Sequence, residues 1–97
     1  MVRETWNDST TPEEVETIRE TLTNKMVPLL AALAGSDGGA YSNEADVREP
    51  NFQTTFFGPN YARLSYIKRL YDPDSMFIVP AGVGSENFDA ATLCKVN

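Results

Sequence analysis

Tyr41 and Asn43 stand two residues apart in the run GAYSNEADVREP, and they are the first pair in this 97-residue sequence able to do chemistry together. If the run is extended, both side chains point to one face, with Ser42 and Glu44 on the other. A phenol can move a proton, and a carboxamide offers both a donor and an acceptor. Taken alone, Tyr41 is equally a half-buried strand tyrosine and Asn43 a turn residue. Glu44 and Asp46 form a second candidate, a carboxylate pair. Glycoside hydrolysis needs two carboxylates at a defined separation across a cleft. Two residues apart on an extended chain does not supply that, so these acids read as solvated or salt-bridged, Asp46 against Arg48 or Arg63. Asn60, just before Tyr61, is either a helix cap or a contact to a ligand.

The composition limits the chemistry further. There is no histidine and a single cysteine, Cys94. That removes the usual general base, every Ser/His or Cys/His triad, an internal disulfide and a cysteine-rich zinc site. Catalysis must come from carboxylates, tyrosines or a cofactor. The net charge is −6, and Arg63, Lys68 and Arg69 make the densest basic group. No basic stripe follows a phosphate backbone, so no nucleic-acid partner is expected. An acidic chain gains nothing from an anionic membrane surface. No apolar run approaches the ~18 residues of a membrane span, and the N-terminus lacks the apolar core of a signal peptide. Asn7-Asp8-Ser9 is a glycosylation triplet.

Two helices are expected to position these residues. The first starts at Thr11, where Thr11 and Glu14 make a capping box and Pro12 suits the first helical position. Val15, Ile18, Leu22, Met26, Leu29, Leu30 and Leu33 follow helical spacing to Gly35, which ends the helix. Its span of about 23 residues reaches roughly 35 Å. Pro28 predicts a kink or break near Asn24–Pro28. Ala40 to Val47 is expected as a strand ended by Pro50. Asn51 to Phe57 is expected as one short helical turn carrying Phe52, Phe56 and Phe57. The second main helix opens at Gly58-Pro59-Asn60. Its apolar stripe is Tyr61, Leu64, Ile67, Leu70 and Tyr71, of which Tyr61, Leu64, Ile67 and Tyr71 are expected to be core, as is Phe77, and Asp72-Pro73-Asp74-Ser75 is the turn that ends it. The tail from Ala81 has little periodicity.

Tyr41-Ser-Asn43-Glu44-Ala-Asp46, then Asn51-Phe-Gln53, Phe57-Gly58-Pro-Asn60-Tyr61-Ala-Arg63-Leu64, Ile67-Lys68, Tyr71-Asp72-Pro73 and Phe77 occur here in order. Together they resemble the C-terminal signature of the berberine-bridge-enzyme-like FAD-linked oxidases. Val83-Gly84-Ser85-Glu86 and Leu93-Cys94 resemble the tail of fungal members, and the Thr11–Ala34 helix resembles the last long helix of the family's substrate domain. The resemblance implies FAD as cofactor and oxidation of an alcohol, sugar or amine with hydride transfer to the flavin. It implies that Tyr41 assists catalysis beside the flavin ring, and that Asn43 and Asn60 contact the cofactor. It also implies that FAD and a small-molecule substrate are held through an N-terminal FAD-binding domain absent from these 97 residues. Cys94 lies in the wrong region to be a flavin-linking cysteine.

The expected fold class is therefore α+β: two main helices with a short strand and an irregular tail, a fragment of a larger FAD-linked oxidase fold. Residues 1–38 are expected to be the end of a substrate domain, and 39–97 the berberine-bridge-type C-terminal segment. The parent enzyme is expected to be extracellular, with its signal upstream of Met1, and the chain alone to be inactive and poorly folded. Trp6 and the Phe52, Phe56 and Phe57 cluster would then lack their partners. The alternative is a small acidic interaction module that has lost the catalytic chemistry.

Overall fold

A computed structural model describes residues 4–36, 38–89, 92 and 94–96. The chain forms two compact units, Met1–Gly38 and Gly39–Asn97.

The first unit is a polar lead-in followed by one interrupted helix. Helix α1 spans Pro12–Thr21 and helix α2 spans Val27–Ala34. The capping box forms as expected: Glu14 N–H donates to Thr11 Oγ1 at 3.2 Å, and Thr11 N–H donates to Glu14 Oε2 at 2.8 Å. Between the helices, Leu22–Met26 winds as a π turn in which Val27 N–H reaches back to Leu22 O. This is the break that Pro28 predicted. Proline has no N–H to give the carbonyl four residues back, and its ring crowds that carbonyl, so the ladder widens ahead of it. Gly35 closes α2 at φ +76°, a region open to glycine at little steric cost. Trp6 finds a partner inside the unit, because the Arg19 guanidinium carbon lies 5.7 Å from its ring centre. An exposed contact of this kind stabilises by about 0.5–1 kcal/mol.

The second unit carries no strand among its described residues, which corrects the expectation for Ala40–Val47. That run is a chain of turns. Glu44 N–H donates to Tyr41 O at 3.0 Å, and Glu49 N–H to Asp46 O at 3.1 Å. Asp46 Oδ1 also accepts from Arg48 N–H at 3.0 Å. A short polar side chain that bonds the backbone two residues ahead competes with any ladder, and here the run has no strand to pair with. The fold class is accordingly helical, with one isolated bridge between Phe88 and Lys95.

Helix α3, Phe52–Phe57, ends at Gly58 with φ +55°. A single 3₁₀ turn, Gly58–Asn60, then leads into α4, Tyr61–Tyr71. The phenylalanines pack on the first residue of α4: Phe52 meets the Tyr61 ring edge-on at 6.0 Å, and Phe57 meets it at 5.7 Å. Phe56 in turn meets Phe57 edge-on at 6.3 Å, so all three find a ring partner within the unit. The far end of α4 departs from expectation. Tyr71 is 86% exposed and Phe77 81% exposed, so neither is core within this chain. Helical spacing places a residue on a stripe, and burial also needs an element to cover it. Among the described residues no apolar side chain is fully buried, and Ser85 is the one buried residue.

Candidate functional site

Tyr41 and Asn43 do come together, by a different route from the expected strand. The turn closed by Glu44 N–H on Tyr41 O folds the two residues back on one another. Asn43 Nδ2 donates to Tyr41 Oη at 2.9 Å. Both side chains are open to solvent, Tyr41 by 66%. One neighbour fixes the turn to the helical part of the unit: Ala40 N–H donates to Thr55 O on α3 at 3.1 Å. Glu49 braces the same region, because its Oε1 accepts from Asn51 N–H at 3.2 Å and from Thr55 Oγ1 at 3.4 Å. The bond to Tyr41 uses one donor of the Asn43 amide and leaves its oxygen and second N–H for another partner.

Asn60 stands at the N-terminus of α4 with helical backbone angles and makes no side-chain cap bond, so capping does not account for it. It is exposed. No described contact joins it to the Tyr41–Asn43 pair. Glu44 is exposed, and Asp46 is spent on its local turn, so the two acids do not form an acid/base pair. Among the described residues no group of three or more His, Cys, Asp or Glu side chains could hold a metal ion. Among the described residues no helix is long and apolar enough to cross a membrane. Cys94 is a free, exposed thiol.

The polar centre of the unit is Tyr61, whose spacing marks it only as a core position. Its hydroxyl donates to Glu86 Oε2 at 2.6 Å and accepts from Gly84 N–H at 3.0 Å. Burial pushes the phenol above its usual range and the Glu86 carboxylate pushes the same way, while bonds from Gly84 and Gln53 pull against them. The phenol therefore stays neutral and acts as a clamp between α3, α4 and the tail. No local pattern announces this, because its acceptor lies 25 residues away. A second clamp closes the far end of α4. The Lys68 ammonium donates to Asp72 Oδ2 and to Phe77 O. The Asp72 carboxylate also accepts from Met76 N–H at 2.8 Å and Phe77 N–H at 3.0 Å. The Lys68 ammonium holds the Asp72 carboxyl below its usual range, the two amides assist, and partial burial opposes them.

Residues 40–84 match the family model for berberine and berberine-like proteins, so the match takes in the Tyr41 turn, α3, α4, the Lys68–Asp72 clamp and the Tyr61–Gly84 bond, and stops short of Glu86. An uncharacterised FAD-linked oxidoreductase of Arthroderma benhamiae is 46% identical over 95 residues, covering 98% of this chain and 16% of its own length. An FAD-linked oxidoreductase of Aspergillus clavatus is 38% identical, covering 94% of this chain and 16% of its own length. Among solved structures, a VAO-type flavoprotein from Myceliophthora thermophila superposes with a TM-score of 0.77 at 40% identity, covering 87% of this chain and 15% of that one. The chain thus spans about a sixth of the length of the curated relatives it matches. Over that span it belongs to the berberine-bridge-enzyme-like family of FAD-linked oxidoreductases.

Proposed function

We propose that residues 39–97 complete the site over the flavin ring of an FAD-linked oxidoreductase that oxidises an alcohol, sugar or amine. The observation that carries this reading is the Tyr41–Asn43 pair: a phenol and a carboxamide bonded at 2.9 Å and both open to solvent. The groups present fit a flavin. The free oxygen and N–H of Asn43 suit the mixed donor and acceptor edge of its pyrimidine ring, and the uncapped carboxamide of Asn60 is a second contact.

When bound, FAD supplies the acceptor for the substrate hydride. The chain's own part is proton handling and positioning. Tyr41 Oη, reacting as the phenolate, takes the proton of the substrate hydroxyl or amine as the substrate C–H bond breaks. Asn43 Nδ2, donating to that oxygen, holds the ring in one orientation. The bond from Ala40 to Thr55 ties this turn to α3, and the Tyr61 clamp fixes α3 and α4 as the platform beneath it. In this reading the rest of the cofactor is held by an N-terminal FAD-binding domain, and the substrate-facing strands belong to a central substrate domain.

Tyr41→Phe in the flavin-loaded enzyme tests the assignment. Anaerobic flavin reduction by substrate slows by about 10²–10⁴-fold, the usual contribution of a positioned acid or base, while the flavin absorbance spectrum stays the same. A reduction rate equal to the parent's overturns the role given to Tyr41.

A further inference from the structure

We infer that Asn7 is an acceptor site for an N-linked oligosaccharide, which places this face of the protein on the luminal and then extracellular side of the secretory route. Three observations converge on it. Asn7-Asp8-Ser9 is an acceptor triplet, with a hydroxyl residue two positions on and no proline between. Asn7, Asp8 and Ser9 are all exposed. The triplet also lies in a closed turn, because Thr10 N–H donates to Asn7 O at 3.0 Å.

The side-chain geometry leaves the reacting atom free. Asn7 Oδ1 accepts from Ser9 N–H at 3.0 Å and from Ser9 Oγ at 2.6 Å, with a longer bond from Thr10 Oγ1 at 3.3 Å. Every described bond of this carboxamide is made through its oxygen. Nδ2 supports no part of the fold, so replacing one of its hydrogens with a sugar breaks no described bond. The turn also ends at the capping box that starts α1, so a bulky substituent sits on a loop beside a defined helix end and leaves the helix untouched.

The transfer balances with one co-reactant, a lipid-pyrophosphate-linked oligosaccharide. Asn7 Nδ2 attacks the anomeric carbon of its first sugar. The new N–C bond forms as the bond from that carbon to the pyrophosphate oxygen breaks. The amide gives up one proton, and the lipid pyrophosphate leaves.

The test uses the full-length enzyme made by secreting fungal cells. Trypsin cuts after Arg3 and Arg19, so residues 4–19 form one peptide that contains the triplet. The expected result is that this peptide carries glycan, and that release by a peptide-N-glycanase in heavy-oxygen water converts Asn7 to a labelled aspartate. Ser9→Ala abolishes the label and Ser9→Thr retains it. Secreted enzyme in which the peptide is found only unmodified overturns the inference and leaves the flavin-site reading intact. Enzyme retained in the cytosol with the peptide unmodified overturns it as well. Glycan present together with a Tyr41→Phe enzyme of unchanged rate supports the acceptor site and sinks the flavin-site reading alone.

Discussion

The Tyr61 hydroxyl joins Glu86 Oε2 at 2.6 Å across 25 residues of chain, and the same oxygen receives the Gly84 amide at 3.0 Å. One phenol thereby satisfies a carboxylate and a backbone N–H in the tail and holds both against α4. Its ring meanwhile meets Phe52 and Phe57 of α3.

Removing only the oxygen separates these two duties. In Tyr61→Phe the ring contacts remain, and the Gly84 amide loses its acceptor. A hydrogen bond of this kind contributes about 1–2 kcal/mol. Hydrogen exchange at Gly84 is therefore expected to speed up by roughly tenfold, with exchange in the middle of α1 unchanged. Equal exchange at Gly84 in both proteins would show that the tail is held by something else.

The same clamp has a pH limit on the alkaline side. The folded phenol is raised above its ordinary value of 10.0. A raised value means that the neutral form is the one the fold favours. The contribution is complete below the ordinary value and is lost as pH rises through the higher folded value. Tyrosinate absorbance should therefore show one phenol ionising later than the others, and Tyr61→Phe should remove that late component.

Asp72 sets the opposite limit. Its folded carboxyl lies below the ordinary value of 3.8, chiefly through Lys68. A depressed value favours the charged form. The contribution is present above the ordinary value and is lost as pH falls through the lower folded one. Lys68→Met removes the main cause, so Asp72 protonates closer to its ordinary value. Carbon-detected carboxyl titration reads this directly, and an unshifted Asp72 midpoint in Lys68→Met would refute the assigned cause.

The first unit was largely legible because its signals are local. Thr11, Glu14, Pro28 and Gly35 each act on the backbone within four or five residues, and a capping box, a widened turn and a left-handed stop follow from chemistry on the same stretch. Ala40–Val47 was misread for a related reason. Alternation over so few residues does not separate a strand from successive turns, and the Asp46 bond to Arg48 N–H decides for turns. The pairing of Tyr41 with Asn43 survived that error, since a tight turn also brings residues two apart to one side. Tyr61 was the larger omission. Helical spacing put it on the inner stripe and said nothing of a hydroxyl partner in the tail. Tyr71 and Phe77 show the converse: their pattern matched a core position, and nothing described within the chain covers them.

That exposure bears on how the 97 residues behave alone. Trp6, Leu29, Leu33, Tyr71, Met76 and Phe77 are all more than half exposed, and no apolar side chain is fully buried among the described residues. Cooperative unfolding needs burial large enough to offset conformational entropy, which is about 1–2 kcal/mol per residue for the backbone. The helices have local support in the capping box and the two clamps, so the purified chain is expected to show helical far-ultraviolet dichroism. It should lose that signal gradually on heating, with no sharp transition. With only one wall of the proposed site present, added FAD should keep the absorbance spectrum of free flavin. A steep, two-state melt would contradict the reading of an uncovered core. A shifted flavin spectrum with the isolated chain would show that Tyr41, Asn43 and Asn60 hold the cofactor without a second domain, and the division of labour proposed for the enzyme would have to be redrawn.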